Sequence, residues 1–271
     1  MQLNEVRLTG VSETMLQTVY ARAKESRTRS AIHDDKAIEI IDKLDYDFSL
    51  ADRDKAMHDG VIARTIVLDK LTEAYLERNP DAAVVNIACG LDTRCYRMRG
   101  FSHWYNLDLS DVIEIRKSVL PETDTITQIA ASAMDDSWPR GIDARSRPVL
   151  VIIEGLLMYL DSDDVSTIFS IIRDSFGNAT VFAEIMNPMM VRHFKEKSIE
   201  GSNAGFSWGI KDGKELASML PGFAFRGEHS LTEGMAEFIP IYRIFDRIPL
   251  ICNISNKIIV LEKDGCSNVL G

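Results

Sequence analysis

AAVVNIACGLDTR, residues 82–94, is the stretch on which the reading of this chain turns. Its first half is a short, β-branched apolar run bounded by Pro80 and Gly90, which predicts a buried strand over 82–88. Its second half breaks at Gly90 into the polar run Leu91-Asp92-Thr93-Arg94. A strand of this kind needs neighbours on both faces, so the flanking sequence should alternate between strands and helices.

Toward the C-terminus it does. WYNLDL (104–109) reads as a second strand, with Ser110 placed to cap the following helix and Pro121 to stop it. TITQIAA (125–131) is a third strand. VLVIIE (149–154) is the fourth and most apolar, which places it centrally. DSDDVSTIFSIIRDSFG (161–177) opens on an acidic turn, has apolar residues from Val165 to Ile172 at helical spacing, and meets Gly177 at its end. ATVFAE (179–184) is a fifth strand, and FAFRGEHS (223–230) and KIIVLE (257–262) form a late antiparallel pair. Toward the N-terminus, residues 12–26, 34–43 and 52–78 read as helices, the last ended by Asn79-Pro80. The expected fold is α/β and Rossmann-like: a mostly parallel sheet with helices on both faces. The expected layout is one domain, with a helical cap (1–78), a sheet core (79–184), a lid insertion (185–222) and closing strands (223–271).

Composition narrows the function. The chain has 271 residues, 45% of them hydrophobic, enough for one large core. Its 31 basic and 41 acidic residues give a net charge of -10, which argues against nucleic-acid or anionic-membrane partners. Cys89, Cys95, Cys252 and Cys266 form no C-x-x-C pair and lack histidines at zinc-ligand spacing, so neither a metal site nor a disulfide framework is expected. MQLNEVRLTG at the start lacks the apolar core of a signal peptide, and the longest apolar run, Val149 to Leu160, is broken by Glu154. A cytoplasmic enzyme is the expectation.

In an open parallel sheet, ligands bind at the carboxyl ends of the strands. Here those ends carry the Gly90 turn, Asp108, Ser132 with Ala133, and Glu154. Asp108, 18 residues beyond Gly90, can accept both hydroxyls of an adenosine ribose. A solvated or helix-capping aspartate is the ordinary alternative at such a place. The turn lacks the further glycines of G-x-G-x-x-G and has no Walker lysine, so it is not built to cradle a pyrophosphate. A ribose-binding acid without a phosphate loop suits a nucleoside without phosphates, of which S-adenosylmethionine is the common cofactor.

VVNIACGLDTRCYRM (84–98) and VLVIIEGLLMYLDSDDV (149–165) resemble the motifs of the leucine carboxyl methyltransferase superfamily, in particular its bacterial polyketide-type O-methyltransferase branch. ETMLQTVYARAKES (13–26), KLDYDFS (43–49), ARTIVLDKL (63–71), WYNLDLSDVIEIRKSVLP (104–121) and IAASAMDDSWP (129–139) extend the resemblance in the same order. It implies a class I methyltransferase fold and methyl transfer to oxygen. It also implies roles. Arg64 holds the methionine carboxylate of S-adenosylmethionine, with Arg22 a second positive charge nearby. Ala88 and Gly90 border the methionine end, and Asp108 and Leu109 the ribose. Ser132, Ala133 and Met134 sit beside the adenine, and Glu154 bonds the cofactor amino group. Asp92 and Arg94 are structural, Asp92 capping the next helix and Arg94 pairing internally. Ala88 stands where the family has glycine, which is tolerated at a negative φ. Cys89 is a small buried residue and not a nucleophile.

For the acceptor, Met186, Met189, Met190, Phe194, Phe206 and Trp208 are the candidate walls. His193 is the candidate base, and Tyr159 a candidate contact. The expected reaction is methyl transfer to a hydroxyl or carboxyl of a small organic acceptor. The alternatives are a carboxyl methyltransferase acting on a protein C-terminus and a non-catalytic S-adenosylmethionine-binding protein. A nicotinamide oxidoreductase is disfavoured by the lone Gly90.

Overall fold

A computed structural model describes residues 11–44, 46–144, 147–193 and 205–265. The chain begins with four helices, α1 (Val11–Arg27), α2 (Asp35–Ile41), α3 (Ser49–Arg53) and α4 (Lys55–Arg78). The expected single helix over 52–78 is broken at Asp54, whose carboxylate accepts the Met57 amide at 2.9 Å and starts α4 afresh. The sheet then follows with β1 (Ala82–Ile87), α5 (Arg94–Arg97), β2 (Phe101–Asp108), α6 (Ser110–Val119), β3 (Ile126–Ala130), β4 (Val149–Ile153), α7 (Ser162–Ser175) and β5 (Ala179–Ile185). The helix α7 starts where its acidic turn predicts: Asp161 accepts the amides of Asp163 and Asp164, both at 2.9 Å. The start of α6 differs from expectation. Ser110 is already helical, Leu109 occupies the cap position, and the Leu109 amide is satisfied by Asp108.

The remainder is richer than a pair of closing strands. After α8 (Pro188–His193) and α9 (Gly213–Met219), β6 (Phe223–Ser230) and β7 (Lys257–Lys263) are separated by α10 (Leu231–Phe238), α11 (Tyr242–Phe245) and α12 (Pro249–Ile254). The sheet order is β3-β2-β1-β4-β5-β7-β6. Strands β1 to β5 are parallel; β7 slots between β5 and β6 and is antiparallel to both.

Strand periodicity explains the layers. On β1 and β4, Val85, Ile87, Val151 and Ile153 face Ile168, Phe169 and Ile172 of α7. Their neighbours Val84, Leu150 and Ile152 face Leu68 and Leu76 of α4 on the other side. Leu16 and Val19 of α1 pack with Leu91, Val112 and Ile115, which carries the N-terminal helices over the turn after β1. Among the described residues no helix is long and apolar enough to cross a membrane.

Candidate active site

Sheet order reverses between β1, which continues outward through β2 and β3, and β4, which continues the other way. The cleft expected at such a switch point is present: a cavity of about 600 Å³ lies over the strand ends. Its floor comes from the residues after β1 to β5, and one wall from Met15, Arg22, Val61 and Arg64 of α1 and α4. Leu231 and Met235 of α10, which packs on α4, also line it, with Ser255 and Asn256 before β7.

The turn after β1 is strained in a specific way. Both Ala88 and Gly90 have left-handed backbones, with φ of +52° and +46°. The condition under which alanine replaces glycine here without strain, a negative φ, is therefore not met. The chain must reverse at once so that the Cys89 amide can reach the Leu107 carbonyl at 3.1 Å. Alanine holds this conformation at a cost of about 1–2 kcal/mol. At Gly90 a side chain would also be crowded, because a Cβ would stand 3.2 Å from the Met15 Cβ and one of them would have to give by a few tenths of an ångström. The Gly90 peptide is held from both sides: its amide donates to Asp108 Oδ2 at 2.8 Å, and its carbonyl accepts from Arg116 Nη1 at 2.9 Å.

Asp108 ends β2 and accepts one amide on each oxygen, Gly90 on Oδ2 and Leu109 on Oδ1, both at 2.8 Å. Burial raises its carboxyl pKa, and these two amide bonds oppose the shift only in part. Leu109, Ser132, Ala133 and Met134 continue the cavity edge, with the Ser132 hydroxyl accepting the Met134 amide at 3.2 Å. Cys89 lines the floor; burial pushes its thiol far above the ordinary range, so it is no nucleophile.

Beside this end lies a chain of ion pairs. Arg64 Nε stands 2.7 Å from Glu154 Oε1, and Arg64 Nη1 donates to Glu184 Oε2 at 2.9 Å. The other Glu154 oxygen accepts from Arg94 at 3.1 Å, and wholly buried Arg94 also donates to Asp69 at 2.7 Å and Asp92 at 2.6 Å. Asp92 also accepts the Arg94 amide at 2.9 Å, satisfying the start of α5. Burial alone would raise the Asp92 pKa; Arg94, then Arg97 and Arg22, reverse this and hold it far below the carboxylate range. Arg97 joins Asp69 to Asp34, and Asp34 pairs with Arg22 at 3.0 Å. Among the described residues, four guanidiniums and five carboxylates are thus linked, an excess of one negative charge.

Every sequence-derived cofactor candidate, from Arg22 to Glu154, borders the one cavity, as does Tyr159. Arg22 is 3% exposed and commits its charge to Asp34, with a second bond to the Leu91 carbonyl at 2.8 Å. Met186, Met190 and Phe206 line the same cavity, and Phe206 packs on Tyr159 with ring centroids 5.2 Å apart. Met189 does not join them, being 56% exposed on the outer side of the short helix α8. Trp208 packs against the sheet core, because the Ile210 amide ties its segment to the Met186 carbonyl. The backbone of His193 ends α8; its side chain, like Phe194, lies outside the described residues.

Three site residues escaped sequence reasoning. Glu184 is wholly interior at the end of β5 and accepts from Arg64, the Gly155 amide (2.9 Å) and Asn256 Nδ2 (3.0 Å). As the lone charge in the apolar run ATVFAEI it was detectable. Asn256 and Arg116 carried no comparable signal.

The family model described as leucine carboxyl methyltransferase matches residues 15–173. The chain belongs to the leucine carboxyl methyltransferase family. That match takes in Arg22, Arg64, Gly90, Asp108 and Glu154 and ends before Glu184 and Asn256. Within curated proteins, the chain is 36% identical to the tetracenomycin polyketide synthesis O-methyltransferase TcmP of Streptomyces glaucescens, over 84% of this chain and 86% of that one. It is 30% identical to the S-adenosyl-L-methionine-dependent methyltransferase dpfgK of Gibberella zeae, over 82% and 83%. A methyltransferase candidate of Thermobifida fusca shares the fold, with TM-score 0.57 at 14% identity over 90% of this chain and 94% of that one. This leucine carboxyl methyltransferase relative is therefore an S-adenosylmethionine-dependent methyltransferase.

Proposed function

We propose that the chain methylates an oxygen of a small, largely apolar organic acceptor, with a carboxyl favoured over a hydroxyl. The observation that carries the cofactor placement is the pairing of two opposed groups across the cavity floor: the Asp108 carboxylate after β2, and the Arg64–Glu154 pair at the end of β4. The donor set fits the cofactor. Asp108 can take the two ribose hydroxyls, Arg64 the carboxylate, and Glu154 the ammonium. Ser132, Ala133 and Met134 then flank the adenine, and Arg22 supports the turn through Leu91 and Asp34, away from the direct ligand set.

When bound, the sulfonium supplies an activated methyl group for in-line displacement, so the chain's own task is placement and exclusion of water. Met57, Val61, Met186, Met190, Phe206 and Met235 supply apolar walls for an acceptor, and Tyr159, Ser255 and Asn256 its polar contacts. Among the described lining residues there is no histidine or lysine, and the carboxylates nearest Arg64 are bonded to it. An acceptor carboxylate, with a pKa near about 4, arrives ionised and needs no base; a phenol near about 10 does. The family description favours a carboxyl, and the O-methyltransferase relative supports oxygen as the acceptor atom without choosing between the two. A hydroxyl acceptor would call on His193 or Tyr159 as base or hydrogen-bond partner.

The test is methyl transfer from labelled S-adenosylmethionine to paired aromatic acceptors, one bearing a carboxyl and the other only a phenol. Base-labile methyl esters are the expected product. Methyl ethers alone would overturn the carboxyl preference, and methylation only of peptide C-termini would overturn the small-molecule reading.

A further inference from the structure

We infer that Glu184 is the counter-charge that makes this site prefer the charged cofactor, S-adenosylmethionine, over its neutral product, S-adenosylhomocysteine. The inference rests on the cofactor placement proposed above and adds a residue to it.

Among the described residues, the ion-pair chain at the methionine end has one carboxylate more than its guanidiniums neutralise, and Glu184 is its terminal member. Its one guanidinium partner, Arg64, is shared with Glu154, which Arg94 also holds. The three groups facing Glu184 are all donors: Arg64 Nη1, the Gly155 amide and Asn256 Nδ2. That is the set an ionised carboxylate takes. Asp108 and Arg116, on either side of Gly90, add one charge of each sign and leave the excess unchanged.

S-adenosylmethionine carries a sulfonium, an ammonium and a carboxylate, a net charge of plus one. S-adenosylhomocysteine has lost the sulfonium charge and is neutral overall. A buried site with one surplus negative charge is balanced by the first and left unbalanced by the second, and burial makes the imbalance count. Glu184 acts here on binding and product release, and it is a positioning residue for the transfer. Through Gly155 and Asn256 the same carboxylate ties the turn after β4 to the acceptor wall.

The experiment is titration calorimetry of the full chain with S-adenosylmethionine, S-adenosylhomocysteine and sinefungin, an analogue that keeps a positive charge where the sulfonium stands. Glu184→Gln should weaken the two charged ligands at least about tenfold more than the homocysteine product. Glu184→Asp, which keeps the charge, should leave the ratio within about threefold even if all three bind less well. Arg64→Gln removes the opposing guanidinium; it should weaken all three ligands and move the ratio further toward S-adenosylmethionine. Equal losses for all ligands in Glu184→Gln would mean a merely structural role and overturn the inference. If that variant does not fold, an Arg64→Gln ratio unmoved or shifted toward the product overturns it instead. Wild-type protein that binds none of the three ligands would remove the cofactor placement and this inference together; an unmoved ratio with intact wild-type binding removes only the inference.

Discussion

Replacing Asp108 by Asn separates what this residue does for the ligand from what it does for the fold. The side chain keeps its size but loses its charge and one of its two acceptor oxygens. On the ligand side, a hydrogen bond to a charged group contributes about 1.5–3 kcal/mol. Losing one such bond to the ribose should weaken S-adenosylmethionine binding about 10- to 100-fold. On the fold side, two effects oppose each other. One of the Gly90 and Leu109 amides loses its acceptor, which costs about 1–3 kcal/mol. Against this, burial raises the Asp108 pKa above its unfolded value near 3.8. Its ionisation therefore removes stability as pH rises above that value, and the amide variant is relieved of that burden. The net change should be about 1 kcal/mol, or roughly 2–4 °C in Tm. Calorimetric titration with S-adenosylmethionine, paired with thermal melts at pH 7, reads both. Affinity within twofold of wild type would refute the ribose contact. A collapse in Tm would show that Asp108 serves the turn first.

Three further outcomes follow from the geometry. Ala88→Gly relieves the left-handed strain after β1 and, after the entropy that glycine loses on folding, should raise stability by about 0.5–1 kcal/mol, seen as a small upward shift in Tm; an unchanged or lower Tm contradicts it. Gly234→Ala puts a Cβ into the Ala63 carbonyl on α4, one residue from Arg64, and should cost about 1–3 kcal/mol and weaken cofactor binding; wild-type melting and affinity would dismiss the close approach of α10 and α4. Burial raises the pKa values of Asp34 and Asp92, but their arginine partners outweigh it and hold both below 3.8 in the folded state. Their contribution is present above that value and lost as pH falls through the folded pKa values, so urea unfolding should show a steep loss of stability below about pH 4; a flat profile to pH 3 would refute it.

The strands were legible because each is an apolar run between breakers, and the parallel order followed from the helices between them. What escaped was set by distance in the chain. Nothing local to KIIVLEK tells it to enter between β5 and β6; that depends on pairing with ATVFAEI some 70 residues earlier. The helices α10 to α12 are short and punctuated by Pro240 and Pro249, too brief for a periodic pattern. Arg116 on α6 reads as a solvated helix arginine, yet it is fully buried because Gly90 and Cys95 stand over it. At Ala88 the reverse holds: residue type alone favours an ordinary φ, and the hydrogen bond from Cys89 to Leu107 imposes a left-handed one. The candidate site was largely readable, since Gly90, Asp108, Ser132 and Glu154 stand at strand ends, where ligand chemistry collects in a parallel sheet. The part of its lining that comes from Met235 and Asn256 was not, because those residues arrive from the segment expected to hold only closing strands.

A crystal structure of the complex with S-adenosylhomocysteine tests the central placement most directly. Both ribose hydroxyls should lie within hydrogen-bonding distance of the Asp108 carboxylate, with the amino-acid end between Arg64 and Glu154. A ligand bound with its ribose elsewhere, or with its carboxylate out of reach of Arg64, would contradict it.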